Sequence, residues 1–162
     1  AKSTRAPGLD CRCATGYTGK ISWNGSKATG KCQPASCTVW KSNRKPGWDC
    51  RCSDGYASNI TWKGDVSLGV CQLAHCGLPN SEGKGKSCKC KDGFAGNIIW
   101  RRDTAIGACE PAACNVSNST KMPGARCRCK DGYVGNISWK GAVPHGSCEP
   151  APCTVSQSNM LS

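Results

Sequence analysis

Nowhere in this chain do apolar positions recur at helical spacing over a useful length. They come in short bursts of alternation bounded by turn residues. In GNISWKGAVPHGSC, Ile137 and Trp139 lie two apart and face one side of a strand, with Ser138 on the other. Lys140-Gly141 then turns the chain, as Asn24-Gly25 and Lys63-Gly64 do earlier, and Asn-Gly is the strongest two-residue hairpin signal. Gly16, Gly55, Gly93 and Gly132 stand just before an aromatic ring, where a positive φ or close backbone packing is expected. The pattern predicts β-hairpins and little or no helix.

The bursts repeat. CRCATGYTGKISW, CRCSDGYASNITW, CKCKDGFAGNIIW and CRCKDGYVGNISW begin at Cys11, Cys50, Cys88 and Cys127, a period of 39, 38 and 39 residues. Trp23, Trp62, Trp100 and Trp139 keep that period, as do Tyr17, Tyr56, Phe94 and Tyr133. Eight of the ten aromatics therefore sit at two repeat positions. The unit reads C-x-C, eighteen residues, C, four residues, C, and a linker. Its bounds are residues 1–36 for the first repeat (with an arm, 1–10), 37–75, 76–113 and 114–152, followed by 153–162 as the start of a further, incomplete repeat.

Composition changes the picture in one respect: 16 of 162 residues are cysteine. Free thiols in that number would be a liability in a reducing cytosol, so the chain is expected to be secreted, extracellular or on a cell surface. Ala1 in place of Met fits a processed secreted protein. No apolar run is long enough to span a bilayer. Each unit is too small to be held by burial alone, since below roughly 40 residues a domain usually needs disulfides, metal or assembly. Two bridges per unit, each stabilising by about 3 kcal/mol, would hold it, with the aromatic pair as a plug. The fold class is thus small, disulfide-rich and all-β: four tandem mini-domains forming an elongated rod. The net charge of +12 is scattered along the sequence. Scattered cations argue against a nucleic-acid partner, which wants a basic stripe, and suit acidic polysaccharide or another acidic partner.

The phrase C-x-C-x-x-G-[YF]-x-G resembles the C-terminal half of an EGF-like domain. CRCKDGYVG, CKCKDGFAG and CRCATGYTG fit it, while the copy at Cys50 has Ser58 for the second Gly. EGF-like domains have more cysteines and a shorter last loop, and the calcium-binding acidic motif of some members is absent. The spacing also resembles a shortened sushi module, and the tandem arrangement resembles predicted surface proteins of protists. The EGF-like resemblance implies bridges Cys13–Cys32, Cys52–Cys71, Cys90–Cys109 and Cys129–Cys148 within units. Across the linkers it implies Cys37–Cys50, Cys76–Cys88 and Cys114–Cys127, leaving Cys11 and Cys153. A sushi-like scheme pairs Cys11–Cys32 and Cys13–Cys37 and leaves none. The sequence keeps both open.

The ends echo the linkers. TVSQSN after Cys153 matches TVWKSN after Cys37, and RAPGLD before Cys11 matches RKPGWD before Cys50. Either the chain is part of a longer repeat protein, or one copy's tail and the next copy's arm rebuild a unit, with Cys153 bonded to Cys11. Such a contact does not close on itself and makes a filament.

Asn24, Asn59, Asn115, Asn118 and Asn136 open N-x-[ST] sequons, so covalent N-glycans are expected. No other cofactor is expected. C-x-C pairs are poor zinc sites, and no C-x-x-C is present for redox work. His75 and His145 occupy unrelated places, and the repeated Asp54, Asp92 and Asp131 read as turn formers, so no catalytic centre is expected. Trp40 and Trp48 lie in a linker beside Lys41, Arg44 and Lys45. They are candidates for stacking on a sugar, although packing across the joint between units is the preferred reading. The sequence thus points to a glycosylated structural or adhesive repeat protein whose principal partner is itself. The alternative is a lectin-like binder of acidic glycans, or a fragment of a longer adhesin.

Overall fold

The computed structural model describes residues 2–154. Among them there is no α-helix. Regular structure consists of two-stranded antiparallel sheets and 3-10 turns at Gly8–Asp10, Gly47–Asp49, Gly85–Ser87 and Gly124–Arg126. The molecule is small, disulfide-rich and all-β, with four similar hairpin modules repeating every 38 or 39 residues.

Each module carries its tryptophan on a longer hairpin. Ile21–Asn24 pairs with Lys27–Gly30, Thr61–Lys63 with Val66–Leu68, Ile98–Arg101 with Thr104–Gly107, and Ile137–Lys140 with Val143–Gly146. The turn sits one residue later than the dipeptides predicted. Asn24 pairs with Lys27 and Lys140 with Val143, so they end strands and the turns are Gly25-Ser26 and Gly141-Ala142. Gly25, Gly64 and Gly141 take φ of 57°, 61° and 59° at the first turn position. Positive φ there alone is the type II′ pattern, which matches strand twist and favours Gly first. Arg102 holds the same position in the third module with φ 61°.

A second, two-residue ladder ties the aromatic before the hairpin to the segment after it: Tyr17–Thr18 with Gln33–Pro34, Tyr56–Ala57 with Gln72–Leu73, Phe94–Ala95 with Glu110–Pro111, and Tyr133–Val134 with Glu149–Pro150. Each C-x-C segment also pairs with the chain ahead of it. Ser42 bridges to Cys52 and Ser119 to Cys129, and in the arm Ser3 bridges to Cys13 in the same way.

Seven disulfides are formed, and they are the pairs of the EGF-like scheme: Cys13–Cys32, Cys37–Cys50, Cys52–Cys71, Cys76–Cys88, Cys90–Cys109, Cys114–Cys127 and Cys129–Cys148. Cys11 and Cys153 carry free thiols, Cys11 half-buried and Cys153 exposed. So many bridges belong to an oxidising environment. The cores are made largely of cystine. One groups Val39 with Cys37, Cys50, Cys52 and Cys71, under Tyr56, Ile60 and Trp62. Another groups Val116 with Cys114, Cys127 and Cys148, under Tyr133, Ile137 and Trp139. Among the described residues, no helix is long and apolar enough to cross a membrane.

The chain divides into two compact units. The first comprises Ala1–Gly77, Gly83–Cys88 and Ile99–Ile106, and the second Leu78–Glu82, Lys89–Ile98 and Gly107–Ser162. The tip of the third hairpin therefore clusters with the second module. A backbone hydrogen bond from Gly55 N to Arg102 O holds it there.

Candidate functional site: the joint between modules

Successive modules meet by one recurring contact. The glycine before the aromatic ring donates its N–H to the carbonyl at the tip of the next module's hairpin. Gly16 N reaches Gly64 O at 2.8 Å, Gly55 N reaches Arg102 O at 2.7 Å, and Gly93 N reaches Gly141 O at 2.9 Å. The same glycine's carbonyl accepts from a buried alanine of its own module: Ala35 N, Ala74 N and Ala112 N, at 2.8–2.9 Å. Each alanine carbonyl in turn accepts from the glycine of the next 3-10 turn: Gly47 N at 2.8 Å, Gly85 N at 2.7 Å and Gly124 N at 2.9 Å. Backbone groups that would otherwise be lost to water are thereby paired across the joint.

The tryptophans close the joint. A Cβ built on Gly16 would stand 3.7 Å from Trp62 Cγ, one on Gly55 3.6 Å from Trp100 Cγ, and one on Gly93 3.5 Å from Trp139 Cγ. These three glycines have φ of 83–84° and are buried. The left-handed backbone calls for glycine, and the next module's ring rests against it at van der Waals distance. Trp100 Nε1 also donates to Gly85 O at 2.9 Å. Trp62 and Trp139 each cover their own cystine core as well as the preceding module's backbone.

The repeated aspartates act here too. Asp54 Oδ1 accepts the Arg102 N–H at 3.0 Å and Asp92 Oδ1 the Gly141 N–H at 2.8 Å, so each carboxylate grips the next module's hairpin tip. The first module has Thr15 in place of aspartate, and its joint uses Thr18 Oγ1 donating to Asp65 Oδ2 at 3.1 Å. A turn-forming reading of these aspartates missed the contact. Its signal was the joint repetition of Asp54, Asp92 and Asp131 with Ala35, Ala74, Ala112 and Ala151.

Two faces carry half a joint each. In the fourth module Gly132 has the same φ of 83° but is exposed, and a Cβ on it would meet nothing within 4 Å. Ala151 beside it is exposed, whereas Ala35, Ala74 and Ala112 are 1–5% exposed. In the first module the complementary parts are uncovered. Trp23 is 41% exposed while its three counterparts are half-buried, Leu9 on the 3-10 turn is 96% exposed, and Gly8 faces open space where Gly47, Gly85 and Gly124 meet the preceding module.

The sequon residues Asn24, Asn59, Asn115, Asn118 and Asn136 are all exposed. Asn118 takes φ 57° and its side-chain amide points at Cys148 O, 3.4 Å away. The two linker tryptophans are exposed to a similar degree, Trp48 at 67%. Trp48 lies against Gly16 at the first joint, with Nε1 3.4 Å from a Cβ built there. Trp40 is 70% exposed with Lys41 Nζ 5.0 Å from its ring centre. His75 and His145 are exposed on different modules. Among the described residues no three His, Cys, Asp or Glu side chains gather as a metal site. Residues 155–162, to which most of the predicted incomplete repeat belongs, lie outside the described residues.

Comparison with protein families, curated proteins and solved structures returns no match.

Proposed function

We propose that the chain is an extracellular, N-glycosylated structural or adhesive protein whose copies join head to tail into a filament. One observation carries the reading: three internal joints of one geometry, and the two halves of a fourth left uncovered at Trp23–Gly25 and Gly132–Ala151. A second copy placing Gly25 O on Gly132 N–H and Trp23 over Gly132 would repeat the internal contact. Asp131 would then accept the Gly25 N–H, as Asp92 accepts that of Gly141. The arrangement is heterologous and does not close, so it propagates.

Complementation tests this. Trp23→Ala spoils the leading face and Gly132→Val the trailing face, and both chains should fold and sediment as monomers. Mixed together, they retain one good face each and should form dimers only, while wild type forms filaments by electron microscopy. Wild type that stays monomeric at every concentration, or variants that polymerise like it, would overturn the proposal.

One observation favours a second reading, binding of acidic glycans: Trp40 stays exposed with a lysine over its ring, a surface suited to sugar stacking. Salt-sensitive retention on an anionic polysaccharide column that Trp40→Ala abolishes would support it.

A further inference from the structure

We infer that a cavity in the first module is the seat for Cys153, Thr154 and Val155 of a second copy, locked by a disulfide between Cys153 and Cys11. This rests on the head-to-tail reading and specifies its chemistry. The cavity has a volume of about 440 Å³, and its walls include Cys11, Ile21, Ala28, Cys32 and Ser3. By the repeat period these are the counterparts of Cys50, Ile60, Ser67, Cys71 and Ser42.

In the second module that space is filled. Val39 is buried at 6% exposure among the cystines, Thr38 N donates a hydrogen bond to Ser67 Oγ at 3.0 Å, and Cys37 is bonded to Cys50. Ser42 Oγ lies 3.1 Å from Cys37 Sγ. The fourth module repeats this with Val116, Cys114–Cys127 and Ser119, whose Oγ lies 3.2 Å from Cys114 Sγ. In the first module Cys32 is half-buried, where Cys71 and Cys148 are 7% and 4% exposed. The core there is open on the side that Val39 and Val116 cover in the second and fourth modules.

Cys153-Thr154-Val155 repeats Cys37-Thr38-Val39 letter for letter. Val155 lies outside the described residues and enters only by its sequence. The rest of the linker is already in place on the receiving module. Ser3 pairs with Cys13 as Ser42 pairs with Cys52, and Thr4 N donates to Arg12 O as Asn43 N does to Arg51 O. Seating the three residues would bring Cys153 to Cys11 as Cys37 is brought to Cys50, whose Cα atoms are 5.7 Å apart, within the span a disulfide closes.

The bond needs an oxidant, and a low-molecular-weight disulfide such as oxidised glutathione is the class named. The Cys153 thiolate attacks it, forming a mixed disulfide and expelling one thiolate. The Cys11 thiolate then attacks the Cys153 sulfur and expels the second. Two protein thiols lose two electrons and two protons, and the small disulfide becomes two thiols.

The test uses the whole 162-residue chain, made in light and isotopically heavy forms, with its seven internal bridges intact and Cys11 and Cys153 reduced. After mixing and adding oxidised glutathione, non-reducing electrophoresis should show a ladder. Peptide mass mapping should find Cys11–Cys153 links joining light to heavy chains. Val155→Asp keeps both thiols and should slow ladder growth at least tenfold, while Val155→Ile should restore it. Links confined within single chains, Cys11–Cys11 links at equal yield, or a Val155→Asp ladder at the wild-type rate would each overturn the inference. Filaments that form with Cys11 and Cys153 unlinked under oxidation would sink it while sparing the head-to-tail reading. Absence of filaments and of ladder in every redox state would sink both.

Discussion

Arg102 shows how much backbone conformation weighs against side-chain identity. It occupies a left-handed turn position that Gly25, Gly64 and Gly141 fill elsewhere. What the joint uses are its backbone groups, the N–H given to Asp54 and the carbonyl taken by Gly55. A non-glycine residue there costs about 1 kcal/mol or somewhat more. Arg102→Gly should therefore stabilise the chain by about 1 kcal/mol, read as a higher denaturant midpoint with unchanged slope. Asp92 provides the converse case, because its carboxylate is itself the contact. Asp92→Ala removes a charge-assisted hydrogen bond and should cost about 1–2 kcal/mol. Asp131→Ala should leave monomer stability unchanged and weaken assembly.

At the level of the hairpin, the tryptophan belongs to two modules at once. Trp62 packs on its own cystine core and stands over Gly16. Trp62→Ala should cost about 2–3 kcal/mol, below the range for a fully buried ring. Trp23→Ala should cost well under half of that, since its far face meets no neighbour in the monomer. The contrast between the two, measured by chemical denaturation, isolates what the joint contributes. The Trp hairpins and the aromatic spacing were legible from the alternation of Ile, Ser and Trp, whereas the two-residue ladder that closes each module was not. The turn position was off by one, because Asn-Gly favours a type I′ turn. Here the first turn residue alone takes positive φ, so the glycine occupies it and the asparagine ends the strand.

For the molecule as a whole, burial is slight and the bridges dominate. Replacing Cys52 and Cys71 by alanine should remove about 3 kcal/mol, while loosening only the second module's neighbourhood in hydrogen exchange. Enzymatic removal of N-glycans from native protein should lower the apparent mass, with the sites confined to the five exposed sequons. The candidate site was only partly legible. The unpaired Cys11 and Cys153 follow from the EGF-like scheme, and the echo of TVWKSN in TVSQSN suggested a divided unit. The joint itself was hidden, because its hydrogen bonds are backbone to backbone and leave no side-chain signature beyond repeated Gly, Ala and Asp. Trp40 and Trp48 looked alike in sequence and are similarly exposed, yet Trp48 alone touches the glycine of the first joint.

Local chemistry and period are properties of the chain taken a few residues at a time, and the sequence alone determined them. It determined the hairpins, the module length, the dependence on cystine and the oxidising setting that sixteen cysteines require. The tertiary structure decided what depends on residues one module apart meeting in space. That includes which carbonyl each glycine N–H finds, which face of each tryptophan is covered, and the cavity beside Cys11. The difference is physical: alternation and spacing encode which side chains turn inward, whereas joint hydrogen bonds use groups that every residue carries.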